Sequence, residues 1–314
     1  MGDYMKRYIA IDGGTTNTRV FLTEGERIVS TVKIPIGARK NIDGTEPLKS
    51  ALSDAISGLL ADAGLDVSDI TAIIASGMIT SEFGLINLPH LVAPTGITEL
   101  HKGITKKDIP EVTSLGISFI PGVKTIGTLE STDMMRGEET ELMGIQNPEY
   151  GECVYVLPGS HSKIIRTDEC GRITSFSTTL TGEMLAALSE GTILRDAVSL
   201  ECEELDCESL TMGYAYAVEH GINEALFKTR ILKNLFGKSP IECYSFFLGV
   251  VLSSEIKTII SSEARTVVIG GRRQIRLATK SLVERYSDKR VIALSDADVD
   301  TSTVRGMIRI FEFE

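Results

Sequence analysis

The chain has 314 residues, of which 42% are hydrophobic and 24% are charged, a composition typical of a globular protein. Its length exceeds what one hydrophobic core usually serves, so we expect two domains. The formal net charge of −11 argues against a nucleic-acid-binding protein, because such proteins need a basic face to displace counterions. No apolar leader and no stretch approaching about 18 apolar residues is evident, so we expect neither a signal peptide nor membrane association.

The five cysteines are scattered, and no pair has the spacing of a metal site. We therefore expect reduced thiols and a cytoplasmic location, where disulfides are rare.

The first predicted element is a β-hairpin with a glycine-rich turn. An apolar run at residues 8–11 ends in DGGTT at residues 12–16 and resumes as VFL at residues 20–22. Glycines let the backbone approach a phosphate closely, and successive amides and threonine hydroxyls can donate to its oxygens. Asp12, at the strand end, is a candidate to hold Mg²⁺ through water, since Mg²⁺ dehydrates reluctantly. The alternative is an ordinary tight turn.

Strand-like and helix-like segments then alternate, which indicates an α/β protein. Residues 28–34 are predicted to form a strand, residues 46–63 an amphipathic helix that ends at Gly64, and residues 71–75 a short buried strand.

The middle of the chain is less regular. Four prolines between residues 84 and 128 predict an irregular region, because proline interrupts long elements. Residues 134–143 are predicted to form one helix, and residues 146–151 are the best candidate for a linker.

The second half of the chain repeats the opening pattern. An apolar strand at residues 153–157 breaks at PGSHSK, residues 158–163, and two further strand-like runs follow at 164–166 and 173–177. Two such hairpins could bind a polyphosphate from opposite sides. The last predicted elements are a long helix at 242–262, a strand at 266–269 entering Gly270 and Gly271, and a helix at 272–286. A double glycine there suits close approach of a flat ligand to the backbone.

Five short motifs occur in a fixed order: ASGMITS at 75–81, FIPGV at 119–123, MRGEET at 135–140, LPGSHSK at 157–163 and LTGE at 180–183. Together they resemble the 2-dehydro-3-deoxygalactonokinase family over roughly residues 8–290, whereas the tail from residue 296 to 314 fits the pattern poorly. The resemblance implies a two-domain α/β protein with the actin-like ATPase (ribonuclease H-like) fold, each domain containing a mixed sheet flanked by helices. We expect domains at residues 1–145 and 146–314, and whether the last helix returns to the first domain is left open.

The resemblance also implies the reaction. It is the ATP-dependent phosphorylation of a 2-keto-3-deoxy sugar acid, 2-dehydro-3-deoxygalactonate, at its terminal primary hydroxyl, with ATP and Mg²⁺ as cofactors. The products would be the 6-phosphate and ADP, in galactonate catabolism. The partners are then a small anionic sugar acid and, as the family favours, further copies of the chain. The alternatives are another sugar or sugar-acid kinase or a phosphatase of this fold, and a non-catalytic filament-forming ATPase.

Phosphoryl transfer requires a carboxylate that accepts the proton of the attacking hydroxyl. Four acidic residues compete for this role: Asp133, Glu138, Glu139 and Glu183. Glu138 is favoured because its segment resembles the one that carries the base in larger sugar kinases of this fold, and Asp133 is second. The alternative is that the paired glutamates only complement a helix dipole.

A 2-keto acid carries a carboxylate, so its binding site needs a cation, and Arg136 is the nearest arginine to the proposed base. Glu183 either binds sugar hydroxyls or caps a helix. The candidate substrate residues are Gly77, Met78, Thr80, Ser81, Arg136 and Glu183. The candidate ATP-binding residues are Asp12, Gly13, Gly14, Thr15, Thr16, Gly159, Ser160, Lys163, Gly270 and Gly271. The isolated histidines His90, His101 and His220 are interpreted as structural.

Overall fold

A computed structural model describes residues 5–38 and 44–313 of the chain. The chain forms two compact units: unit 1 contains the residues up to Asn147, Arg172–Thr174 and the residues from Ala297, and unit 2 contains Pro148–Gly171 and Ser175–Asp296. Residues 1 and 314, the outer bounds of the expected domains, lie outside the described residues.

Unit 1 is built on a mixed six-stranded sheet and a smaller three-stranded one. Its strands are β1 (Arg7–Gly13), β2 (Thr18–Glu24), β3 (Arg27–Ile34), β4 (Ala72–Gly77), β5 (Leu91–Val92), β6 (Thr105–Lys107), β7 (Ile117–Phe119), β8 (Val123–Thr125) and β9 (Asp133–Met135). The large sheet has the order β3-β2-β1-β4-β7-β6 and the small sheet the order β5-β8-β9. Because β1 pairs antiparallel with β2 but parallel with β4, the polar ends of β1 and β4 lie side by side.

The helices of unit 1's N-terminal part are α1 (Glu46–Ala63), α2 (Ile97–Lys102) and α3 (Glu138–Ile145). Helix α1 packs its apolar stripe, including Leu52 and Leu59, on the same core as Ile9 and Ile73 of the large sheet. It ends at Gly64, whose φ of 66° is the left-handed conformation that glycine adopts without strain. The predicted bounds of this helix are confirmed.

The prediction of one helix over residues 134–143 is wrong. Residues 133–135 form strand β9, which pairs antiparallel with β8, and α3 begins only at Glu138. Gly137 separates the two elements with a φ of 112°, a backbone conformation that a helix cannot contain. Cross-strand pairing therefore overrides the helical preference of the methionines here. The region predicted to be irregular, residues 84–128, contains the short elements β5, α2, β6, β7 and β8.

Unit 2 holds a five-stranded mixed sheet with the order β12-β11-β10-β13-β14. Its strands are β10 (Cys153–Leu157), β11 (Ser162–Thr167), β12 (Ile173–Thr179, which belongs to unit 2 from Ser175 onward), β13 (Thr266–Ile269) and β14 (Arg290–Ala293). Its helices are α4 (Thr181–Gly191), α5 (Cys207–His220), α6 (Ile222–Phe236), α7 (Pro240–Ile260) and α8 (Arg273–Tyr286). Strand β10 pairs antiparallel with β11 and parallel with β13, as β1 does with β2 and β4.

Helix α7 is the core helix of unit 2. Among the described residues it alone is long and apolar enough, by length and composition, to cross a membrane, but 78% of its apolar window is buried inside the protein. It packs closely on α5 through glycines: a Cβ on Gly213 would lie 2.0 Å from the carbonyl oxygen of Phe246, and one on Gly249 would lie 2.1 Å from that of Leu210. This burial is the arrangement of a helix in a hydrophobic core.

The last helix, α9 (Asp296–Phe311), belongs to unit 1 from Ala297 onward. It crosses α3 at a pair of glycines. A Cβ on Gly144 would lie 1.8 Å from the carbonyl oxygen of Ser302, and a Cβ on Gly306 would lie 1.8 Å from that of Thr140. The two backbones therefore touch, and α3 is held in place from its rear side.

We expect Gly306→Ala to destabilise unit 1, because the added methyl group must push α9 away from α3. Overpacking of this kind costs about 1–3 kcal/mol of the free energy of unfolding. The matched control is Gly58→Ala in the exposed middle of α1, where an added Cβ has nothing within 4 Å. That change should stabilise the protein by about 0.5–1 kcal/mol. Thermal or urea unfolding of both variants measures this, and equal midpoints would contradict the close contact.

Candidate active site

The turn between β1 and β2 presents several unused donors. It is closed by the Gly14 amide, which donates to the carbonyl oxygen of Asn17 at 2.9 Å. The hydroxyls and amides of Thr15 and Thr16 have no hydrogen-bond partner among the described residues. Gly37 packs against this turn so closely that a Cβ on it would lie 2.5 Å from the carbonyl carbon of Thr16. The turn thus combines a fixed backbone with free donors, as an anion-binding turn requires.

Asp12 lies at the entrance of this turn, opposite Arg19 in the antiparallel register. Arg19 donates to Oδ2 of Asp12 from Nη2 at 2.6 Å and from Nε at 3.0 Å. Oδ1 has no hydrogen-bond partner among the described residues. Within that part of the chain no cluster of three or more acidic, histidine or cysteine residues could hold a metal ion. A single free carboxylate oxygen still fits the way Mg²⁺ binds in kinases, through one or two carboxylates, waters and substrate phosphates.

Three glycines bring the ends of β1 and β4 against the start of α3. Gly77 pairs with Gly13 across the parallel strands and has a φ of 84°. A Cβ on Gly77 would lie 2.4 Å from the carbonyl oxygen of Gly13, and a Cβ on Gly137 would lie 3.4 Å from the Cα of Gly77. The hydroxyls of Ser76 and Thr140 also share a buried hydrogen bond of 2.6 Å. The predicted phosphate turn, substrate segment and base segment therefore meet within unit 1.

The first turn of α3 carries a group of acidic side chains near Asp12. Glu138 is half-buried and accepts a hydrogen bond from the amide of Arg136 at 3.0 Å. Burial and the negative charges of Glu138 and Asp12 raise the pKa of Glu141 to about 7. Glu141 is not among the site residues predicted from the sequence. Its spacing of three residues from Glu138 could have shown that both lie on one face of the helix.

Asp133, the second candidate base, lies in β9 of the small sheet. Its amide donates to Oγ1 of Thr125 at 2.8 Å, and its Oδ1 accepts from the amide of Met134 at 2.7 Å. This is the arrangement of a carboxylate that stabilises a strand end, and Asp133 remains a candidate base beside Glu138.

Glu139 is fully buried and accepts the Gly137 amide with both oxygens, at 2.8 and 2.9 Å. Burial, and next the charge of Glu138, raise its pKa to about 7 from 4.5. A carboxyl group whose pKa is higher in the folded state favours folding at low pH, and this advantage is lost as the pH rises through the folded pKa.

We therefore expect the stability of the protein to decrease between about pH 4.5 and pH 7 as Glu139 ionises. Glu139→Gln keeps the shape of the side chain but stays neutral, so its unfolding midpoint should change less over that range. Thermal unfolding of both proteins at a series of pH values measures the difference. Parallel profiles would show that Glu139 is not the group responsible.

Arg136 contacts the substrate segment that the sequence predicted for it. Its Nη1 donates to Oγ1 of Thr80 at 2.7 Å, and its Nη2 donates to the carbonyl oxygen of Leu88 at 2.7 Å. The guanidinium is half-buried, which lowers its pKa, although the charge of Glu139 opposes this. No carboxylate lies within 4 Å of it in the described part of the chain. A partly desolvated cation that no carboxylate contacts is suited to bind an anionic ligand.

The hydroxyls of Thr80 and Ser81, in the predicted substrate segment, donate to backbone carbonyls of the same segment. Thr80 donates to the carbonyl oxygen of Gly77 at 2.9 Å, and Ser81 donates to that of Met78 at 2.6 Å. Both side chains are buried. They fix the short helical turn after β4, and Thr80 in addition orients Arg136.

In unit 2, the turn between β10 and β11 packs against the start of α4. A Cβ on Gly182 would lie 2.1 Å from the carbonyl oxygen of Gly159, and the amide of Glu183 donates to the carbonyl oxygen of Ser160 at 3.1 Å. The side chain of Glu183 lies 3.4 Å from Nε2 of His161. The start of α4 is therefore fixed to the second hairpin turn.

The double glycine after β13 reaches the same turn. The amide of Gly270 donates to the carbonyl oxygen of Val156 at 2.9 Å, and a Cβ on Gly271, whose φ is 71°, would lie 2.4 Å from the carbonyl oxygen of Pro158. Arg276 donates to the carbonyl oxygen of Gly271 at 2.6 Å. The predicted phosphate and adenosine residues of the second half thus lie together within unit 2.

Lys163, next to the turn between β10 and β11, is not a surface cation. It is only 5% exposed, and its Nζ donates to Oγ1 of Thr178 on the neighbouring strand at 2.7 Å. Its position in β11 places it opposite Leu157, the last residue of β10.

Two units that each carry a mixed sheet, flanking helices and a glycine-rich hairpin turn define an α/β protein with the two-domain actin-like ATPase fold. A solved Sinorhizobium meliloti protein, provisionally named 2-dehydro-3-deoxygalactonokinase, matches 96% of this chain over 97% of its own length, with a TM-score of 0.77 and 22% identity. Component A of the (R)-2-hydroxyglutaryl-CoA dehydratase of Acidaminococcus fermentans matches 98% of each chain, with a TM-score of 0.50 and 13% identity.

The chain belongs to the 2-keto-3-deoxy-galactonokinase family, whose model matches residues 12–310. The 2-dehydro-3-deoxygalactonokinase of Escherichia coli K12 is 28% identical over 262 residues, which cover 81% of this chain and 80% of that protein. The predicted family and fold are confirmed. The match also extends through residue 310, so the expectation that the tail from residue 296 departs from the family is wrong for most of its length.

Proposed function

We propose that this protein transfers the γ-phosphoryl group of ATP to the terminal primary hydroxyl of 2-dehydro-3-deoxygalactonate, giving the 6-phosphate and ADP. The observation that carries this proposal is the family match over residues 12–310. Kinase family membership makes ATP the phosphoryl donor. The reaction is part of galactonate catabolism in the cytoplasm, and the enzyme acts as a homo-oligomer without nucleic-acid or membrane partners.

Each unit carries one hairpin turn that would bind phosphate oxygens of ATP. In unit 1 the amides and hydroxyls of Thr15 and Thr16 donate to phosphate oxygens, and Gly13 and Gly14, which have no side chains, let the phosphate approach the backbone. In unit 2 the turn at Gly159 and Ser160, with Lys163, does the same, and the backbone at Gly270 and Gly271 receives the adenosine. The free Oδ1 of Asp12 would hold Mg²⁺ through water, and the ion would neutralise phosphate charge.

The sugar acid binds to unit 1 through Arg136, whose guanidinium has no carboxylate within 4 Å among the described residues and donates to the substrate carboxylate. Backbone and side-chain groups at Gly77, Met78, Thr80 and Ser81 position the sugar chain. Glu138 accepts the proton of the attacking hydroxyl, with Asp133 as the alternative. Support for Glu138 comes from its half-exposed carboxylate in the acidic group beside Asp12. The two working domains are residues 1–145 and 146–314, with the last helix, α9, returning to the first domain.

A coupled assay of ADP formation over a panel of aldonic, uronic and 2-keto-3-deoxy acids tests the proposed reaction. ADP should form only when a 2-keto-3-deoxy acid is present. Phosphate release without any acceptor would instead indicate a phosphatase. An ATPase activity that rises with the concentration of the protein itself would indicate a filament-forming ATPase.

A further inference from the structure

Arg136 lies in a small group of basic residues that the sequence analysis did not connect. Its Nη2 lies 3.4 Å from Nδ1 of His90, and the positive charges of Arg136 and Lys124 both act on that imidazole. Arg136 and Lys124 each lack a carboxylate within 4 Å in the described part of the chain. Glu139 acts on Arg136 only from a greater distance, and burial raises the pKa of that carboxyl to about 7. Two half-buried cations that no carboxylate contacts can attract an anion from outside the protein.

The contact with Arg136 also decides where the proton of His90 lies. A guanidinium can only donate hydrogen bonds, so Nδ1 of His90 must accept with its lone pair. Burial and the two neighbouring cations lower the pKa of His90 to about 4, so the ring is neutral near pH 7. A neutral ring with an acceptor at Nδ1 carries its proton at Nε2.

The Nε2–H of His90 is available to a ligand. It has no hydrogen-bond partner among the described residues. Among the described residues, Nε2 of His90 is not one of the buried side-chain atoms that lack a hydrogen-bond partner. This nitrogen therefore keeps some exposure to solvent. Gly122 lies beside the ring, because a Cβ on Gly122 would be 2.8 Å from Cδ2 of His90 and 3.1 Å from Cγ of Arg136. The absence of a side chain at Gly122 keeps the imidazole and the guanidinium close together.

We propose that Arg136, Lys124 and His90 form the subsite for the 2-oxo-carboxylate end of the substrate, and that His90 donates from Nε2 to one of its oxygens. The two cations provide attraction for the carboxylate, and the neutral imidazole provides a directed hydrogen bond. His90 then binds the substrate directly, and Lys124 attracts the substrate carboxylate through its positive charge. This inference rests on the proposed function for the identity of the substrate, but the chemistry of the subsite can be tested separately.

The test compares His90→Phe, which removes the donor, with His90→Gln, whose side-chain amide can place a donor near the position of Nε2. We expect His90→Phe to raise the KM for the 2-keto-3-deoxy acid roughly 10- to 100-fold, the effect of losing a hydrogen bond to a charged group. His90→Gln should recover part of that loss. The KM for ATP should change less than about twofold in both variants.

Pyruvate is the probe for the subsite alone, because it consists of the 2-oxo-carboxylate end of the substrate. It should bind the wild-type protein more tightly than acetate does, as measured by calorimetry or by competitive inhibition, and His90→Phe and Lys124→Met should each weaken it. An unchanged KM for the keto acid in a folded His90→Phe protein would overturn the proposal, as would equal losses for the keto acid and ATP. If the wild-type protein phosphorylates no keto acid but binds pyruvate through His90, the proposed function fails and the subsite stands.

Discussion

Glu138→Gln should lower kcat roughly 10²- to 10⁴-fold, the usual contribution of a general base. The side chain lies at the first position of α3, half-buried, beside the strand ends that carry Asp12 and Gly77. Glutamine keeps the size of the side chain and can still accept the Arg136 amide, but it cannot take the proton of the attacking hydroxyl. The KM values for both substrates should therefore change little, because binding contacts are kept.

Asp133→Asn is the matched control, since it removes the charge of the competing candidate. Asparagine can still accept the Met134 amide at the end of β9, so the strand should be kept. We expect Asp133→Asn to retain kcat within a few-fold. Single-turnover measurements on both variants separate chemistry from product release. Full turnover by Glu138→Gln together with loss of turnover in Asp133→Asn would assign the base to Asp133 instead.

Gly182→Ala should lower kcat/KM for ATP by disturbing the second hairpin turn, which lies in unit 2. The added Cβ would lie 2.1 Å from the carbonyl oxygen of Gly159, so either the start of α4 or the second hairpin turn must move. Displacing a positioning group by about 1 Å can cost roughly 10²-fold in rate. We therefore expect kcat/KM for ATP to fall by about that factor, and the overpacking should also cost about 1–3 kcal/mol of stability.

The control lies in the same helix. Gly191, the last residue of α4, has nothing within 4 Å of an added Cβ. Gly191→Ala should therefore leave ATP kinetics unchanged. Steady-state kinetics with varied ATP, together with thermal unfolding, compare the two variants. If Gly182→Ala lowers the unfolding temperature but leaves kcat/KM for ATP intact, the turn does not hold phosphate.

Elements with strong local signals were predictable from the sequence. The two hairpins, helix α1 with its terminal Gly64 and strand β13 follow from apolar runs, turn residues and helical periodicity. Strand β9 was not predictable in this way, because Met134 and Met135 have no strand preference and are held by pairing with β8. Glu141 was not selected, and His90 was interpreted as structural, because the environment of each depends on neighbours distant in sequence: Asp12 for Glu141, and Arg136 and Lys124 for His90.

The sequence by itself determined the family, the reaction class and the two glycine-rich turns. The family and the reaction class follow from short motifs in a fixed order, and the turns follow from residues that are adjacent in the chain. Only the tertiary structure decided which side chains share an environment. It set Gly13, Gly77 and Gly137 in backbone contact, left Arg136 with no carboxylate within 4 Å among the described residues and buried Lys163 beside Thr178. The physical reason is that burial and electrostatic interaction depend on distances in space, which strand pairing and helix packing fix across long separations in the chain.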